Sequence, residues 1–298
     1  MSKQLEQRVA IVTGAGSGIG RAVALAYAEA GARVVVSDIG EAGGLETVAQ
    51  IAAAGGEACF VRADTSSAAD NERLVAEAVK RYGALHVACN NAGVGGTGAD
   101  VGDYALDEWQ RIIGINLSGV FYGMRYQIPA MLAAGGGAIV NMASILGQVG
   151  FRGHSAYVAS KHGVIGLTRT AALEYAARGI RVNAVGPAFI DTPLLANLPD
   201  EARSALVGLH PIARLGKASE VAERVLWLSS DKASFVTSSH YPIDGGYLAQ
   251  SRPDDVAARR LRALPPLRPR AAPLTRRQAT NHAESRARGR RSNAGPGA

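Results

Sequence analysis

A serine, a tyrosine and a lysine in the middle of the chain have the types and the spacing needed to move a proton. Ser144 follows an apolar run typical of a strand, and Tyr157 and Lys161 stand four residues apart, on one face of the next predicted helix. A free tyrosine titrates at about pH 10, but a lysine ammonium one helical turn away favours the phenolate and lowers its pKa. We therefore predict Tyr157 as a general acid/base, Lys161 as the group that tunes it, and Ser144 as a hydrogen-bond partner of the substrate oxygen.

Three glycines near the start of the chain, Gly14, Gly18 and Gly20, lie between a β-branched run and an amphipathic segment. Glycine there permits a tight turn and a close approach of the backbone to a pyrophosphate, whose charge is favoured by the helix N-terminus. Asp38 ends the second predicted strand, where a carboxylate accepts hydrogen bonds from the adenosine ribose and repels a 2′-phosphate. No basic residue stands next to Asp38 in the sequence, so the pattern predicts a dinucleotide site that prefers NAD to NADP.

The segments that must position these groups alternate short β-branched runs with longer amphipathic ones. This alternation is typical of a parallel sheet covered on both faces by helices. We therefore expect an α/β protein with a single doubly wound Rossmann domain over residues 1–250, built on a parallel seven-stranded sheet. The predicted strands are residues 8–13, 33–38, 58–64, 86–91, 138–144, 181–187 and 240–244.

The basic character of the chain is confined to its last part. The whole sequence has a formal net charge of +7, but residues 251–298 hold 12 arginines and three acidic residues, whereas residues 1–250 carry 20 basic and 22 acidic ones. The last segment is rich in Arg and Pro and has no sustained apolar period, which predicts a disordered tail. Nucleic-acid binding would depend on this charge alone, and we expect none.

Other sequence signals exclude several classes of protein. No basic segment followed by an apolar one begins the chain, and no run approaches the roughly eighteen apolar residues that span a bilayer, so we expect a cytoplasmic protein without membrane contact. Cys59 and Cys89 lie in apolar runs without a Cys-x-x-Cys pair and are predicted to be core residues. The histidines show no metal-ligand spacing with acids, and no metal is predicted.

Taken singly, these features have structural explanations, since serine often caps a helix and Tyr-x-x-x-Lys pairs occur on many helix surfaces. Together they resemble the short-chain dehydrogenase/reductase family over residues 5–250. The resemblance implies a homotetrameric oxidoreductase that uses a nicotinamide cofactor to interconvert a secondary alcohol and a ketone. The matching motifs are the glycine loop, "NNAG" at residues 90–93, Asn116 in "IGINLSGVF", Ser144, Tyr157 with Lys161, and "DGGY" at residues 244–247.

The resemblance also implies roles for individual residues. Asn116 would hold a water that links Lys161 to solvent, Lys161 would also bind the nicotinamide ribose, and Asp64 would face the adenine. Ala188 stands where the family usually has glycine. The catalytic residues expected are Asn116, Ser144, Tyr157 and Lys161. The cofactor-binding residues expected are Gly14, Ser17, Gly18, Ile19, Gly20, Asp38, Asp64, Asn90, Ala92, Gly93, Tyr157, Lys161, Pro187, Ile190 and Thr192.

The segment 192–215 is predicted to cover the substrate. It is apolar and short of charges, which favours an uncharged alcohol or ketone over a sugar phosphate or a dicarboxylate. Reduction of a 3-oxoacyl thioester would use the same catalytic residues and remains an alternative. A non-catalytic dinucleotide-binding regulator is a different class that the fold permits. Such a protein would be expected to have lost the tyrosine or the lysine, and here Ser144, Tyr157 and Lys161 are all present.

Overall fold

The computed structural model describes residues 3–195 and 199–250, with the backbone alone at Leu194. The predicted tail at 251–298 lies outside the described residues. The main sheet has seven strands, all parallel, in the order β3-β2-β1-β4-β5-β6-β9, and each predicted strand is present to within two residues. The strands are β1 (Val9–Thr13), β2 (Arg33–Asp38), β3 (Glu57–Arg62), β4 (Val87–Asn90), β5 (Gly137–Met142), β6 (Ile180–Pro187), β7 (Ile190–Asp191), β8 (Gly216–Lys217) and β9 (His240–Ile243).

Helices cover both faces of this sheet, as the sequence predicts for a doubly wound fold. In the residues described, α1, α2 and α8 pack on one face and α3, α5 and α6 on the other, while β7 and β8 form a separate two-stranded sheet. The helices are α1 (Gly18–Glu29), α2 (Glu41–Ala53), α3 (Ala68–Tyr82), α4 (Leu106–Ile113), α5 (Gly119–Ala133), α6 (Ser155–Tyr175), α7 (Asp200–Gly208) and α8 (Ala218–Ser229).

Two hydrophobic cores, one on each face, explain the apolar runs of the strands. In β1, Val9 and Ile11 enter the core beneath α3, α5 and α6, whereas Ala10 and Val12 enter the core beneath α1 and α8. Successive side chains of a strand point to opposite faces, so a strand buried on both sides must be apolar throughout. All five residues of β1 are buried accordingly.

The strand order places the ends of four strands beside one crevice. The chain leaves β1 towards β2 and β3, then crosses back to β4 on the other side of β1. Ligands of doubly wound sheets bind at this reversal, outside the carboxyl ends of the strands. The glycine loop, the Asn90 turn, Ser144 and Pro187 follow or end β1, β4, β5 and β6, so the fold brings them to the same edge.

A helix that crosses a bilayer needs about 20 mostly apolar residues. None of the helices in residues 3–195 and 199–250 is long and apolar enough to cross a membrane. The longest of them, α6, carries Tyr157 and Lys161, and Lys161 reaches the Met142 carbonyl of β5.

Candidate active site

The glycine loop has the backbone shape that the sequence predicts. Gly14 has φ +63° and Gly18 has φ +53°, in the left-handed region that glycine adopts without strain. A Cβ on Gly14 would lie 2.9 Å from the Cα of Ala92, and a Cβ on Gly20 would collide with the Gly14 carbonyl oxygen. The loop therefore packs against the turn after β4 and against the first turn of α1 with no space for side chains.

The N-terminus of α1 is open to an anion. Ser17 is the N-cap residue, in extended conformation, and its side chain makes no capping hydrogen bond, while the first turn holds no acidic residue. Free N–H groups and the helix dipole at such an end favour a phosphate. Thr192 approaches this end, with its Cβ 3.3 Å from where a Cβ of Gly18 would lie, and Ile19 packs against the core beneath. The geometry fits the pyrophosphate of a dinucleotide.

Two side chains that the sequence analysis missed hold the loop from below. Thr47 on α2 donates from Oγ1 to the carbonyl of Ala15 at 2.8 Å, and Arg21 donates from Nε to Thr47 Oγ1 at 3.0 Å. Arg21 also donates to the Gly16 carbonyl and forms an ion pair with Glu46 at 2.8 Å. The sequence gives no signal of this role, because Arg21 and Thr47 lie on two different helices, α1 and α2, and meet only in the folded structure.

Asp38 is fixed at the end of β2 by backbone donors. Its Oδ2 accepts from the N–H of Gly16 at 2.8 Å, and its Oδ1 accepts from the N–H of Gly40 at 2.9 Å. These bonds hold the carboxylate beside the glycine loop, as a contact with the adenosine ribose requires.

A basic residue does lie near Asp38 in space, although none does in the sequence. Arg62, at the end of β3, is the register partner of Asp38, and its Nε donates to the Ile39 carbonyl at 3.2 Å. Only the pairing of β2 with β3 brings this arginine to the strand end. The residues next to Asp38 in the sequence therefore do not include every charge near its carboxylate.

Asp64 lies in the turn between β3 and α3. Its Oδ1 accepts from both the backbone N–H and the hydroxyl of Ser66, at 2.9 and 2.7 Å, and its own N–H donates to Asp70. These bonds shape the turn at the carboxyl end of β3. The predicted contact of Asp64 with adenine stays a prediction.

The side chain of Asn90 is engaged in the protein interior. Its amide exchanges hydrogen bonds with Gln127 on α5 at 3.1 and 2.8 Å and donates to Asn141 Oδ1 on β5 at 2.9 Å. Asn141 in turn donates to Thr168 on α6 at 3.0 Å. We name these four residues the buried amide network. Any cofactor contact of Asn90 must therefore come from its backbone.

The neighbouring Asn91 is the residue of this turn that contacts the glycine loop. Its Nδ2 donates to the carbonyls of Thr13 and Gly14 at 2.9 and 3.3 Å, and Thr13 Oγ1 accepts from the N–H of Ala92 at 3.1 Å. Gly93 follows, where a Cβ would lie 3.6 Å from Lys161 Nζ. The turn thus connects the glycine loop to Lys161, and Asn91 is a residue of this turn that the sequence-based prediction did not include.

Lys161 is buried beneath Tyr157. It is 3% exposed, and its Nζ donates to the Met142 carbonyl at 2.8 Å and lies 5.5 Å from the centroid of the Tyr157 ring. Burial lowers the pKa of Lys161 to about 8. The i to i+4 spacing predicted from the sequence thus places the two side chains in contact on one helical face.

The pKa of Tyr157 is raised, which corrects the sequence-based expectation that Lys161 lowers it. Burial of the phenol is the larger cause, and a hydrogen bond with Ser144 acts in the opposite direction. A buried phenolate loses its hydration, which disfavours the charged form and raises the pKa. Ser144 also donates to the Pro187 carbonyl at 3.4 Å and accepts from the N–H of Leu146 at 3.1 Å, which fixes its hydroxyl beside the tyrosine.

Asn116 lies in a π-helical segment between α4 and α5, residues Gly114–Ser118. Its side chain is fully buried and pairs with the backbone of Val94, accepting at 2.8 Å and donating at 2.9 Å. Its Nδ2 is 3.4 Å from Ser160 Oγ, one residue before Lys161. A π-segment interrupts the regular ladder of helical hydrogen bonds and is frequent at functional sites. The sequence gave no sign of it.

Pro187 and Ile190 border the crevice on the side of β6, and Ile190 is buried in the short strand β7. Ala188, where the family has glycine, donates its N–H to Ile243 at 3.1 Å and is not among the residues with positive φ. The turn therefore needs no glycine here.

Aromatic rings close the substrate side of the site. We name Phe151, Phe189, His210 and Tyr247 the aromatic wall. Phe189 stacks edge-on against His210 at 5.8 Å and against Tyr247 at 6.1 Å, and it lies 6.3 Å from Phe151. Tyr157 packs in the same apolar cluster. Tyr157 therefore lies beside an apolar surface that contains several aromatic rings. Within the described residues, no group of acids, histidines and cysteines could hold a metal ion.

Known proteins resemble this chain in sequence and in fold. A family model described as enoyl-(acyl carrier protein) reductase matches residues 14–248. Cyclohexanol dehydrogenase of Acinetobacter sp. (strain SE19) is 50% identical over 250 residues, which cover 84% of this chain and 98% of that protein. Cis-4-hydroxycyclohexanecarboxylate dehydrogenase of Sinomonas cyclohexanicum is 45% identical, over 84% of this chain and 100% of that protein. The crystal structure of levodione reductase aligns with a TM-score of 0.80 at 36% identity, over 83% of this chain and 100% of that one.

Proposed function

This chain belongs to the short-chain dehydrogenase/reductase family, and from that premise we propose that it is an NAD-dependent dehydrogenase of uncharged cyclic secondary alcohols. It is an oxidoreductase that uses a nicotinamide cofactor and a small-molecule substrate with a secondary alcohol or ketone. The observation that carries the finer proposal is the aromatic wall beside Tyr157, which offers contacts from aromatic rings. Two of the relatives are named as dehydrogenases of cyclohexane derivatives, which supports a substrate with a six-membered ring.

The chain's own residues perform the proton transfer. Ser144 and Tyr157 bind the alcohol oxygen from two sides, and Tyr157 takes the hydroxyl proton as the carbon–oxygen double bond forms. A nicotinamide cofactor held by the predicted residues would supply the hydride acceptor. Lys161 is held by the Met142 carbonyl beneath the tyrosine ring, where its charge stabilises the phenolate that oxidation requires. Asn116 positions the backbone of Val94 and contacts Ser160, the residue before Lys161, so it supports this turn of α6 from the protein interior.

The preference for NAD rests on Asp38. Its carboxylate is held beside the glycine loop by two backbone N–H groups, where it would meet the 2′-position of the ribose and repel a phosphate. Arg62 lies near the same strand end, and its positive charge would reduce this repulsion. The cofactor residues proposed are those predicted from the sequence, with Asn90 acting through its backbone only.

The second candidate is reduction of a 3-oxoacyl thioester, which the description of the matching family model favours. Both reactions use Ser144, Tyr157 and Lys161. A thioester carries its reacting ketone on a long flexible chain and gains little from ring-shaped walls, so we rank it second. A non-catalytic regulator is disfavoured, because the described site keeps all three groups in contact.

The deciding experiment is a substrate screen that follows the absorbance of reduced nicotinamide. Cyclohexanol and linear secondary alcohols are offered with NAD or NADP, and cyclohexanone and acetoacetyl-coenzyme A with the reduced cofactors. We expect the highest kcat/KM for cyclohexanol with NAD. A higher kcat/KM for acetoacetyl-coenzyme A than for cyclohexanone would favour the second candidate, and no turnover of any substrate would favour the regulator.

We also propose a homotetramer located in the cytoplasm. Large exposed apolar side chains on three helices are consistent with self-association: Trp109 on α4, Phe121 on α5 and Leu173 on α6. Burial of such side chains between subunits would stabilise an oligomer. Light scattering coupled to gel filtration measures the mass, and a monomer at micromolar concentration would contradict the proposal.

A further inference from the structure

His210 is a buried polar group in the apolar wall of the site. The residue is 5% exposed, and its ring lies 5.8 Å from Phe189 and 6.0 Å from Tyr247. Its Nδ1 is 2.9 Å from the carbonyl of Leu206 on α7. Its Nε2 is buried and has no hydrogen-bond partner in the part of the chain that the structure describes.

The contact with Leu206 determines which ring nitrogen carries the proton. A carbonyl oxygen can only accept, so Nδ1 must donate and therefore holds the hydrogen. In a neutral imidazole the other nitrogen, Nε2, is then an acceptor. A buried acceptor without a donor destabilises a protein, and such exceptions in native structures point to a missing partner.

The position of the ring indicates what that partner is. Phe189 and Tyr247, which contact His210, belong to the same apolar cluster as Tyr157. Nδ1 faces the Leu206 carbonyl on α7, and Nε2 therefore lies on the other side of the imidazole ring. A ring-shaped substrate that reacts at Tyr157 and lies along the aromatic wall would bring its far side towards His210.

We propose that His210 is a specificity-determining residue whose Nε2 accepts a hydrogen bond from a second hydroxyl group on a cyclic substrate. The preferred substrates are then cyclic diols or hydroxyketones rather than simple cyclic alcohols. This inference rests on the proposed function, and it distinguishes cyclic substrates by the group that they place next to Nε2. A hydroxyl donates to Nε2, whereas a ketone or an alkyl group at the same position leaves the buried nitrogen unpaired.

The test compares cyclohexanol, 4-methylcyclohexanol and 1,4-cyclohexanediol, the last as separate cis and trans isomers. These compounds differ only in the group on the ring carbon opposite the reacting carbon. For the unaltered protein we expect one diol isomer to exceed 4-methylcyclohexanol in kcat/KM by about tenfold or more, the size of one well-formed hydrogen bond. A preference of the unaltered enzyme for the methyl compound over both diols would overturn the proposal without any variant.

Two variants separate the hydrogen bond from the packing. His210→Phe keeps a ring but removes Nε2, and it should bring the ratio of diol to methyl compound close to one or below. His210→Gln keeps a polar group at the position of Nε2, and it should preserve most of the ratio. The matched control is His162→Gln, because His162 makes the same bond to the carbonyl four residues earlier, at 2.9 Å from Val158, but is exposed. Its ratio should not change.

The outcomes distinguish this inference from the proposed function. Turnover of cyclohexanol with an unchanged diol ratio in His210→Phe would refute the role of Nε2 and leave the dehydrogenase assignment intact. Failure of the unaltered protein to turn over any cyclic alcohol would refute both. Loss of the ratio in His210→Phe and its retention in His210→Gln would support the hydrogen bond specifically.

Discussion

Replacing Lys161 by methionine is expected to make the protein more stable near neutral pH while it removes catalysis. The lysine is 3% exposed, and burial lowers its pKa from the ordinary 10.5 to about 8. The charged form is therefore disfavoured in the folded protein relative to the unfolded chain. Methionine has a similar length and no charge, so it removes this penalty.

The size of the effect follows from the two pKa values. Near pH 7 both states bind the proton, and at about 1.4 kcal/mol per pH unit the charge destabilises the folded state by about 3 kcal/mol. Between the folded and the unfolded pKa the unfolded chain binds more protons, so stability rises with pH there and the penalty falls to about 1 kcal/mol near pH 10. The variant also loses the bond from Nζ to the Met142 carbonyl, which costs about 1 kcal/mol. We expect Lys161→Met to gain about 2 kcal/mol near pH 7 and about zero near pH 10.

Urea denaturation at a series of pH values, with the unaltered protein and the variant side by side, measures this difference in the free energy of unfolding. Other groups that titrate in the range cancel in the comparison. Lys80→Met is the matched control, because Lys80 is an exposed lysine on α3 and its side chain is 77% exposed. Its difference from the unaltered protein should be small and nearly constant with pH.

Two results would refute the reasoning. Parallel stability curves for the unaltered protein and Lys161→Met would show that the buried ammonium carries no penalty. A variant less stable than the unaltered protein near pH 7 would show that its contacts outweigh the cost of its burial. The same variant should also lose turnover and bind the nicotinamide cofactor more weakly, because one side chain is proposed to serve both.

Three further changes test the site and the domain boundary. Tyr157→Phe keeps the ring and removes the hydroxyl, so kcat should fall by about 10²–10⁴-fold with cofactor affinity nearly unchanged, as steady-state rates and fluorescence titration would show; near-normal turnover would reject the mechanism. Asp38→Ser combined with Ile39→Arg should narrow or invert the ratio of kcat/KM for NAD over NADP, and equal use of both by the unaltered enzyme would contradict the role of Asp38. A chain ending at Gln250 should fold, bind NAD and turn over like the full chain; loss of activity or of the tetramer in that chain would contradict a dispensable tail.

The fold could be predicted because its signals are local. Strands of a covered parallel sheet are mostly apolar, and each of the seven predicted runs became a strand of the sheet. The glycine loop and the pair Tyr157 and Lys161 are also local patterns, set by a backbone conformation and by a helical repeat. Their positions therefore followed from the sequence.

The remaining features depend on contacts between distant segments. Arg62 reaches the end of β2 only through the pairing of β2 with β3. Asn90 and Asn91 are adjacent and identical in type, yet one enters the interior and the other holds the glycine loop. The direction of the Tyr157 pKa depends on how completely the ring is buried, which its neighbours in sequence do not reveal. These three assignments needed the tertiary structure.

The buried amide network has a consequence for how the sheet assembles. Asn90 and Asn141 are register partners in β4 and β5, and Gln127 and Thr168 complete their hydrogen bonds from two helices. If one of the two strands were shifted by one residue, its asparagine would turn to the opposite face of the sheet, and the remaining members of the network would lose a hydrogen-bond partner. Apolar side chains alone discriminate poorly between such alignments, since valine packs against valine in either. The network therefore favours the observed register of β4 and β5. This register sets the distance between the turn at Gly93 and the end of β5, and the geometry of the proposed catalytic residues depends on that distance.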